Sequence, residues 1–289
     1  MDRLDRLRRR PAPGPTAEEA PFPEDHRQTD LGPVAAVSDR GLRHADNQDA
    51  YAIETAGRRA VAAVCDGVSS AWRADVAARA AADAGVEALR PLLTGEWPDA
   101  AGLVQTLRDA AARAEAAVIS VPTPEGATTA TTLVLAAVGP GVAAVGNVGD
   151  SRAYWVDTGH GYHQAVTVDD SWAEQAIREG VPAVVAYTSP MAHVITRALR
   201  SDSDLAEPII PNVALLEVTS PGVLVVCTDG LWNYAEEPDR LAALAAVADD
   251  DTPLAIAKRL VAEALAAGGS DNVTVAVVPT DPEGVLPRP

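Results

Sequence analysis

Short apolar runs bounded by glycine, proline and aspartate recur along the chain. Val34–Ser38, Ala60–Cys65, Thr131–Val138, Val142–Asn147, Ala153–Val156, Val223–Cys227 and Val273–Val278 have the length and aliphatic content of buried strands. Gly139-Pro140-Gly141 between two of these runs predicts a hairpin. Elsewhere the period changes. Ala82, Val86 and Leu89 repeat at four and three until Pro91 stops the segment, and Val104, Leu107, Ala111, Ala114 and Val118 form one stripe. Leu241–Val247 and Leu254–Leu265 predict two further helices. Strands joined by short connections, with helices grouped rather than alternating one for one, predict antiparallel sheets in a layered α+β domain.

Residues 1–30 are rich in proline, arginine and glutamate without an apolar period, and read as a flexible N-terminal tail. Residues 280–289 read as a shorter C-terminal tail, leaving one domain over residues 31–279 with no linker-like break or internal repeat. No apolar run approaches the roughly 18 residues that cross a bilayer. Arg8–Arg10 is followed by proline and acidic residues where a signal peptide needs an apolar stretch, so a cytoplasmic chain is expected. The net charge of −18 argues against nucleic-acid and anionic-membrane partners, which require basic patches. Cys65 and Cys227 lack CxxC spacing and each closes an apolar run just before an aspartate, so both read as buried strand residues.

The aspartates carry the chemistry. Asp66 follows Ala60–Cys65 and precedes Gly67; Asp229 follows Val223–Thr228 and precedes Gly230. Asp49 immediately precedes Ala50-Tyr51-Ala52-Ile53, and Asp271 lies just before the last strand. A carboxylate at the end of a buried strand is firmly aimed and partly desolvated, and several converging there repel one another unless a cation neutralises them. Hard oxygen donors of this kind suit Mg²⁺, Mn²⁺ or Ca²⁺. Asp-Gly after a strand is also an ordinary turn; four aspartates in strand-end settings on one chain weaken that reading, while spacing alone leaves the chemistry open. Asp150, in Gly149-Asp150-Ser151-Arg152, reads either as a tight hairpin or as a further carboxylate on the same rim.

Seven motifs in order then resemble the metal-dependent protein phosphatases of the protein phosphatase 2C type, particularly the bacterial members. They are Ser38-Asp39-Arg40-Gly41 with Asn47-Gln48-Asp49, Cys65-Asp66-Gly67, Gly126-Ala127-Thr128-Thr129, Gly146–Tyr154, Ile195–Leu199, Cys227–Trp232 and Ser270–Val275. The resemblance implies a four-layer α-β-β-α sandwich with a two-metal site, holding Mn²⁺ or Mg²⁺, at one end. By it, Asp66 bridges two cations, Asp229 and Asp271 complete one, and Asp49 with the Gly67 carbonyl serves the other. Asp150 matches a holder of a third, weaker cation. The implied reaction is hydrolysis of phosphoserine and phosphothreonine in proteins by a hydroxide shared between the metals, attacking phosphorus in line. The implied partners are phosphoprotein substrates of a Ser/Thr kinase, met by a monomer.

The match departs at several positions. The arginine expected to clamp phosphate falls on His44, with Arg43 beside it, so either is the candidate clamp. Val68 stands where some members carry a histidine, Ser69-Ser70 replaces a glycine pair, and Asp170 replaces a histidine in Thr167–Ser171. Trp172–His193 corresponds to the variable flap, where His193 is either structural or a substrate contact. These changes leave open a pseudophosphatase that binds without turnover, and a phosphatase dedicated to an anti-sigma factor antagonist.

Overall fold

The computed structural model describes residues 25–248 and 251–286; residues 1–24 of the expected N-terminal tail lie outside the described residues. One sheet has the order β1 (His26–Asp30), β2 (Ala35–Asp39), β13 (Val273–Asp281), β12 (Gly222–Cys227), β8 (Arg152–Asp157) and β9 (His163–Ala165), with β14 (Gly284–Val285) added to β13. The second has the order β11 (Asn212–Glu217), β7 (Val142–Val148), β6 (Leu133–Gly139), β4 (Arg59–Asp66) and β3 (Asp49–Ala56). A short pair joins β5 (Ala130–Thr131) to β10 (Leu199–Arg200). Every pairing is antiparallel.

Side-chain alternation divides the interior into three layers. Ala60, Ala62 and Val64 of β4 meet Leu224 and Val226 of β12 and Ala276 and Val278 of β13 between the sheets. Val61, Ala63 and Cys65 point the other way, onto α1 (Ala74–Leu89), α2 (Pro91–Thr94) and α3 (Ala100–Ile119). Val223, Val225 and Cys227 likewise face α6 (Asp229–Trp232), α7 (Pro238–Ala245) and α8 (Pro253–Ala266). The two short helices α4 (Trp172–Arg178) and α5 (Ala183–Tyr187) pack on each other through Ala173, Ala176 and Ala186, in the segment expected as the flap. The result is the four-layer α-β-β-α sandwich expected. Both cysteines are free and buried within these layers. Burial pushes both thiols up, which keeps them as core residues rather than nucleophiles.

Several details differ from the sequence reading. Strands form on residues expected in the two tails: His26–Asp30 pairs with β2, and Gly284–Val285 pairs with the end of β13. His26–Asp30 is polar and Gly284–Val285 is only two residues long, so neither shows an apolar period. The inward stripe of α3 runs through Leu103 and Leu107, and Val104 is only half-buried. Gly139-Pro140-Gly141 does form the β6–β7 hairpin. Gly149-Asp150-Ser151 is not a hairpin, because β7 and β8 belong to different sheets and the three residues cross between them.

Candidate metal centre

Antiparallel register brings one end of each sheet to the same edge. Asp49 at the start of β3 is paired directly with Asp66 at the end of β4. In the other sheet, Cys227 is paired with Val275 and with Arg152, so the end of β12 and the starts of β13 and β8 share that edge. Asp229 is the first residue of α6, immediately past β12, and Asp271 lies in the turn entering β13. Asp66, Gly67, Asp229 and Asp271 line one cavity of about 140 Å³. Asp49 borders a separate groove of about 780 Å³, which meets the cavity at Gln48. Asp150, on the crossover, is tied to α6 by the Trp232 indole Nε1, which donates to the Asp150 carbonyl over 2.8 Å.

The backbone around each carboxylate is held from several sides. The Asp66 amide donates to the Thr132 hydroxyl over 2.9 Å, and the Thr131 hydroxyl donates to the Asp66 carbonyl over 2.9 Å. This threonine pair lies just beyond the Gly126–Thr129 stretch singled out from the sequence, which does not itself reach Asp66. Asn272 joins the first motif to the last. Its Oδ1 accepts from the Gln48 amide over 2.7 Å, and its Nδ2 donates to the carbonyls of Arg40 and Asp46 over 2.7 and 3.1 Å. Gly67 is required for space, since a Cβ there would stand 2.7 Å from the carbonyl oxygens of Ala74 and Gln48. Gly41 is required twice over: its φ is +76°, and a Cβ would stand 2.1 Å from the Asp271 carbonyl oxygen. Gly41→Ala is therefore expected to cost about 1–3 kcal/mol, read as a lowered denaturation midpoint. An unchanged midpoint would contradict the close packing of this loop on the Asp271 turn.

The electrostatics of the rim are those of a cation site. Burial pushes the Asp49 carboxyl up to about 8, against the hydroxyls of Thr274 and Thr228, with Asp229 and Asp271 adding repulsion. Burial and the charges of Asp49, Asp229, Asp150 and Asp271 hold Asp66 well above the carboxylate range. Burial and Asp229 take Asp150 up to about 7, while burial and Asp271 take Asp229 up to about 6. Such shifts mean that the fold forces carboxylates together without supplying their counter-charge. The oxygens agree: Oδ1 of Asp49, of Asp150 and of Asp229 are each buried with no hydrogen-bond partner among the described residues. No group of three or more His, Cys, Asp or Glu side chains among the described residues stands ready-made to hold a metal ion. The fit to a divalent cation rests on the orphaned oxygens, the purely oxygen donor set and the shared charge, which suit Mn²⁺ or Mg²⁺ better than a thiolate metal.

The structure separates the two candidate clamps. His44 Nε2 lies 3.1 Å from Asp271 Oδ1, one of the carboxylates that line the cavity. Arg43 is exposed and makes no side-chain hydrogen bond or ion pair with a described residue. Asp170, at the position expected for histidine, is fully buried and satisfied. Its carboxylate accepts from Arg197 over 3.1 Å, from Asn212 over 3.1 Å and from the Gly149 amide over 3.1 Å. Asp169 beside it takes three bonds from Arg152, whose guanidinium stacks 3.8 Å over the Trp232 ring. His193 is exposed, with its ring centroid 5.9 Å from that of Trp232. Thr228 and Asn272 lie inside the Cys227–Trp232 and Ser270–Val275 motifs, and Thr131 and Thr132 open the Thr131–Val138 run; their supporting contacts are set by the fold.

The family model for protein phosphatase 2C matches residues 42–262. The serine/threonine protein phosphatase PstP of Mycobacterium tuberculosis is 31% identical over 249 residues, covering 84% of this chain and 44% of PstP. The chain thus spans less than half the length of that relative. A crystal structure of PstP superposes with a TM-score of 0.67 at 27% identity, covering 86% of this chain and 98% of that one. The catalytic domain of PstP in complex with two manganese ions superposes at 0.64 with 28% identity, covering 84% and 96%.

Proposed function

The chain belongs to the protein phosphatase 2C family, and on that premise we propose that it hydrolyses phosphoserine and phosphothreonine in proteins with Mn²⁺ or Mg²⁺ as cofactor. The observation that carries the proposal is the meeting of Asp49, Asp66, Asp150, Asp229 and Asp271 on one rim, with three buried carboxylate oxygens left without a protein partner. In this reading Asp66, Asp229 and Asp271 hold one cation, Asp66 with Asp49 and the Gly67 carbonyl a second, and Asp150 a third, weaker one. When bound, the cations supply Lewis acidity towards the phosphoryl oxygens and the attacking water.

The chain's own residues position and orient. Thr131 and Thr132 fix the backbone of Asp66, and Asn272 locks the Asp46–Gln48 loop against the Asp271 turn. Of the two clamp candidates His44 has the better place, because it already faces the rim through Asp271. Arg43 would have to turn inward from solvent. Val68 offers no proton to the leaving alkoxide, so that proton comes from water. The proposal extends to a cytoplasmic monomer that acts on substrates of a Ser/Thr kinase, without nucleic-acid or membrane partners. The net charge of −18 supports that choice of partners. No helix among the described residues is long and apolar enough to cross a membrane.

The test is phosphate release from phosphoserine, phosphothreonine and phosphotyrosine peptides, each with EDTA, Mg²⁺ or Mn²⁺. Release from the first two, appearing only with Mn²⁺ or Mg²⁺, is expected. Absence of turnover from folded protein with every metal would replace this reading by a binding module.

A further inference from the structure

We infer that the cleft beside the metal cavity, walled by Val68, Ala130, Ile195, Ala198 and Ile209, is a subsite for an apolar side chain adjacent to the phosphorylated residue of the substrate. The inference rests on the phosphatase reading above and names the class of sequence it acts on.

Three observations carry it. The cleft encloses about 330 Å³, room for one large aliphatic or aromatic side chain, and opens beside the 140 Å³ cavity. Val68 and Ile195 line both spaces, so a peptide with its phosphate at the carboxylate rim lays a neighbouring side chain across these two residues. Second, the walls are already built. The Val68 amide donates to the Ala130 carbonyl over 3.0 Å, and Leu199 and Arg200 pair with Thr131 and Ala130. The Ile209 amide donates over 2.8 Å to the buried carboxylate of Glu115 on α3. A preformed pocket spares the cost of ordering it on binding.

Third, the charges at the cleft are already matched. Arg197 is held by Asp170 over 3.1 Å, and Arg200 grips both oxygens of Asp202 over 2.8 and 2.9 Å. An acidic side chain finds no unpaired cation there, and a basic one meets two guanidinium groups. What remains favourable is burial of an apolar side chain against the five apolar walls.

The experiment uses the whole chain with Mn²⁺, p-nitrophenyl phosphate, and phosphothreonine peptides differing only in the residues flanking the phosphothreonine: Leu or Phe against Gly or Asp. The Leu and Phe peptides should show kcat/KM about tenfold or more above the Gly and Asp peptides, the scale on which an apolar pocket discriminates. Ala198→Phe, which fills the cleft, should bring that ratio to about one. Equal kcat/KM for all peptides in the wild type, with p-nitrophenyl phosphate still hydrolysed, would overturn the subsite alone, and so would a ratio unchanged in Ala198→Phe. Failure of the folded wild type to hydrolyse p-nitrophenyl phosphate would overturn the phosphatase reading beneath it.

Discussion

Asp229→Ala is expected to lower phosphopeptide turnover by about three orders of magnitude, roughly 4 kcal/mol at about 1.4 kcal/mol per factor of ten, without unfolding the chain. The carboxylate sits on a single helical turn whose backbone bonds do not need it: the Asn233 amide donates to the Asp229 carbonyl over 2.9 Å, and the Leu231 amide to Thr228 over 3.2 Å. Gly230, Leu231 and Trp232 are buried and anchor the turn. The side chain itself contributes little to folding. Its Oδ1 has no partner, its Oδ2 accepts one bond of 3.2 Å from Asn233, and burial and Asp271 push its carboxyl up to about 6. Removing it relieves repulsion on Asp66, so the metal-free variant should melt at or above the wild-type temperature. Turnover within tenfold of wild type would refute the ligand role of Asp229, and a large drop in the melting temperature would refute its structural dispensability.

Stability should couple to pH and to metal in one direction. Asp49, Asp150 and Asp229 have carboxyls raised from the ordinary 3.8 to about 8, 7 and 6. Between those limits the folded chain binds more protons than the unfolded one, so stability falls as pH rises. In EDTA, the melting temperature should therefore be higher near pH 5.5 than at pH 8. At pH 8 a cation takes over the role of the protons. A hundredfold excess over its dissociation constant adds about 2.7 kcal/mol, or about 5–10 °C at roughly 2–4 °C per kcal/mol for a domain of this size. At pH 5.5 the same Mn²⁺ should raise the melting temperature far less, because protons compete for the carboxylates. Differential scanning fluorimetry over the four combinations is sufficient. A Mn²⁺ shift equal at both pH values would rule out the buried carboxylates as its site.

Much of this site was legible before the fold. Asp66 and Asp229 stand out because Asp-Gly follows an apolar run, and a strand that is buried on both faces must end where its last residue meets solvent. The role of Asp150 was less visible. Gly149-Asp150-Ser151 has the composition of a hairpin, and local chemistry cannot say whether the next strand stays in the same sheet. Asn272 was harder still, since its partners Gln48, Asp46 and Arg40 lie over 220 residues away in the chain. The strand His26–Asp30 carries no apolar signal at all. Its residues are polar and largely exposed, and what holds them is backbone pairing to β2 rather than an apolar face.

The elements and the residues at the rim can be read from the chain alone. Apolar period set the central strands and the long helices, because burial of one face or both is written residue by residue in the chain. The ordered motifs set the carboxylates. Which of them meet is a matter of long-range packing. Register placed Asp49 opposite Asp66, and the crossover from β7 to β8 carried Asp150 to the same rim. Packing turned His44 rather than Arg43 toward Asp271, and gave Asp170 the place of an anchor for Arg197 instead of a group open to substrate. Those outcomes depend on contacts between residues far apart in the chain, and on desolvation that exists only once the sheets have closed over one another.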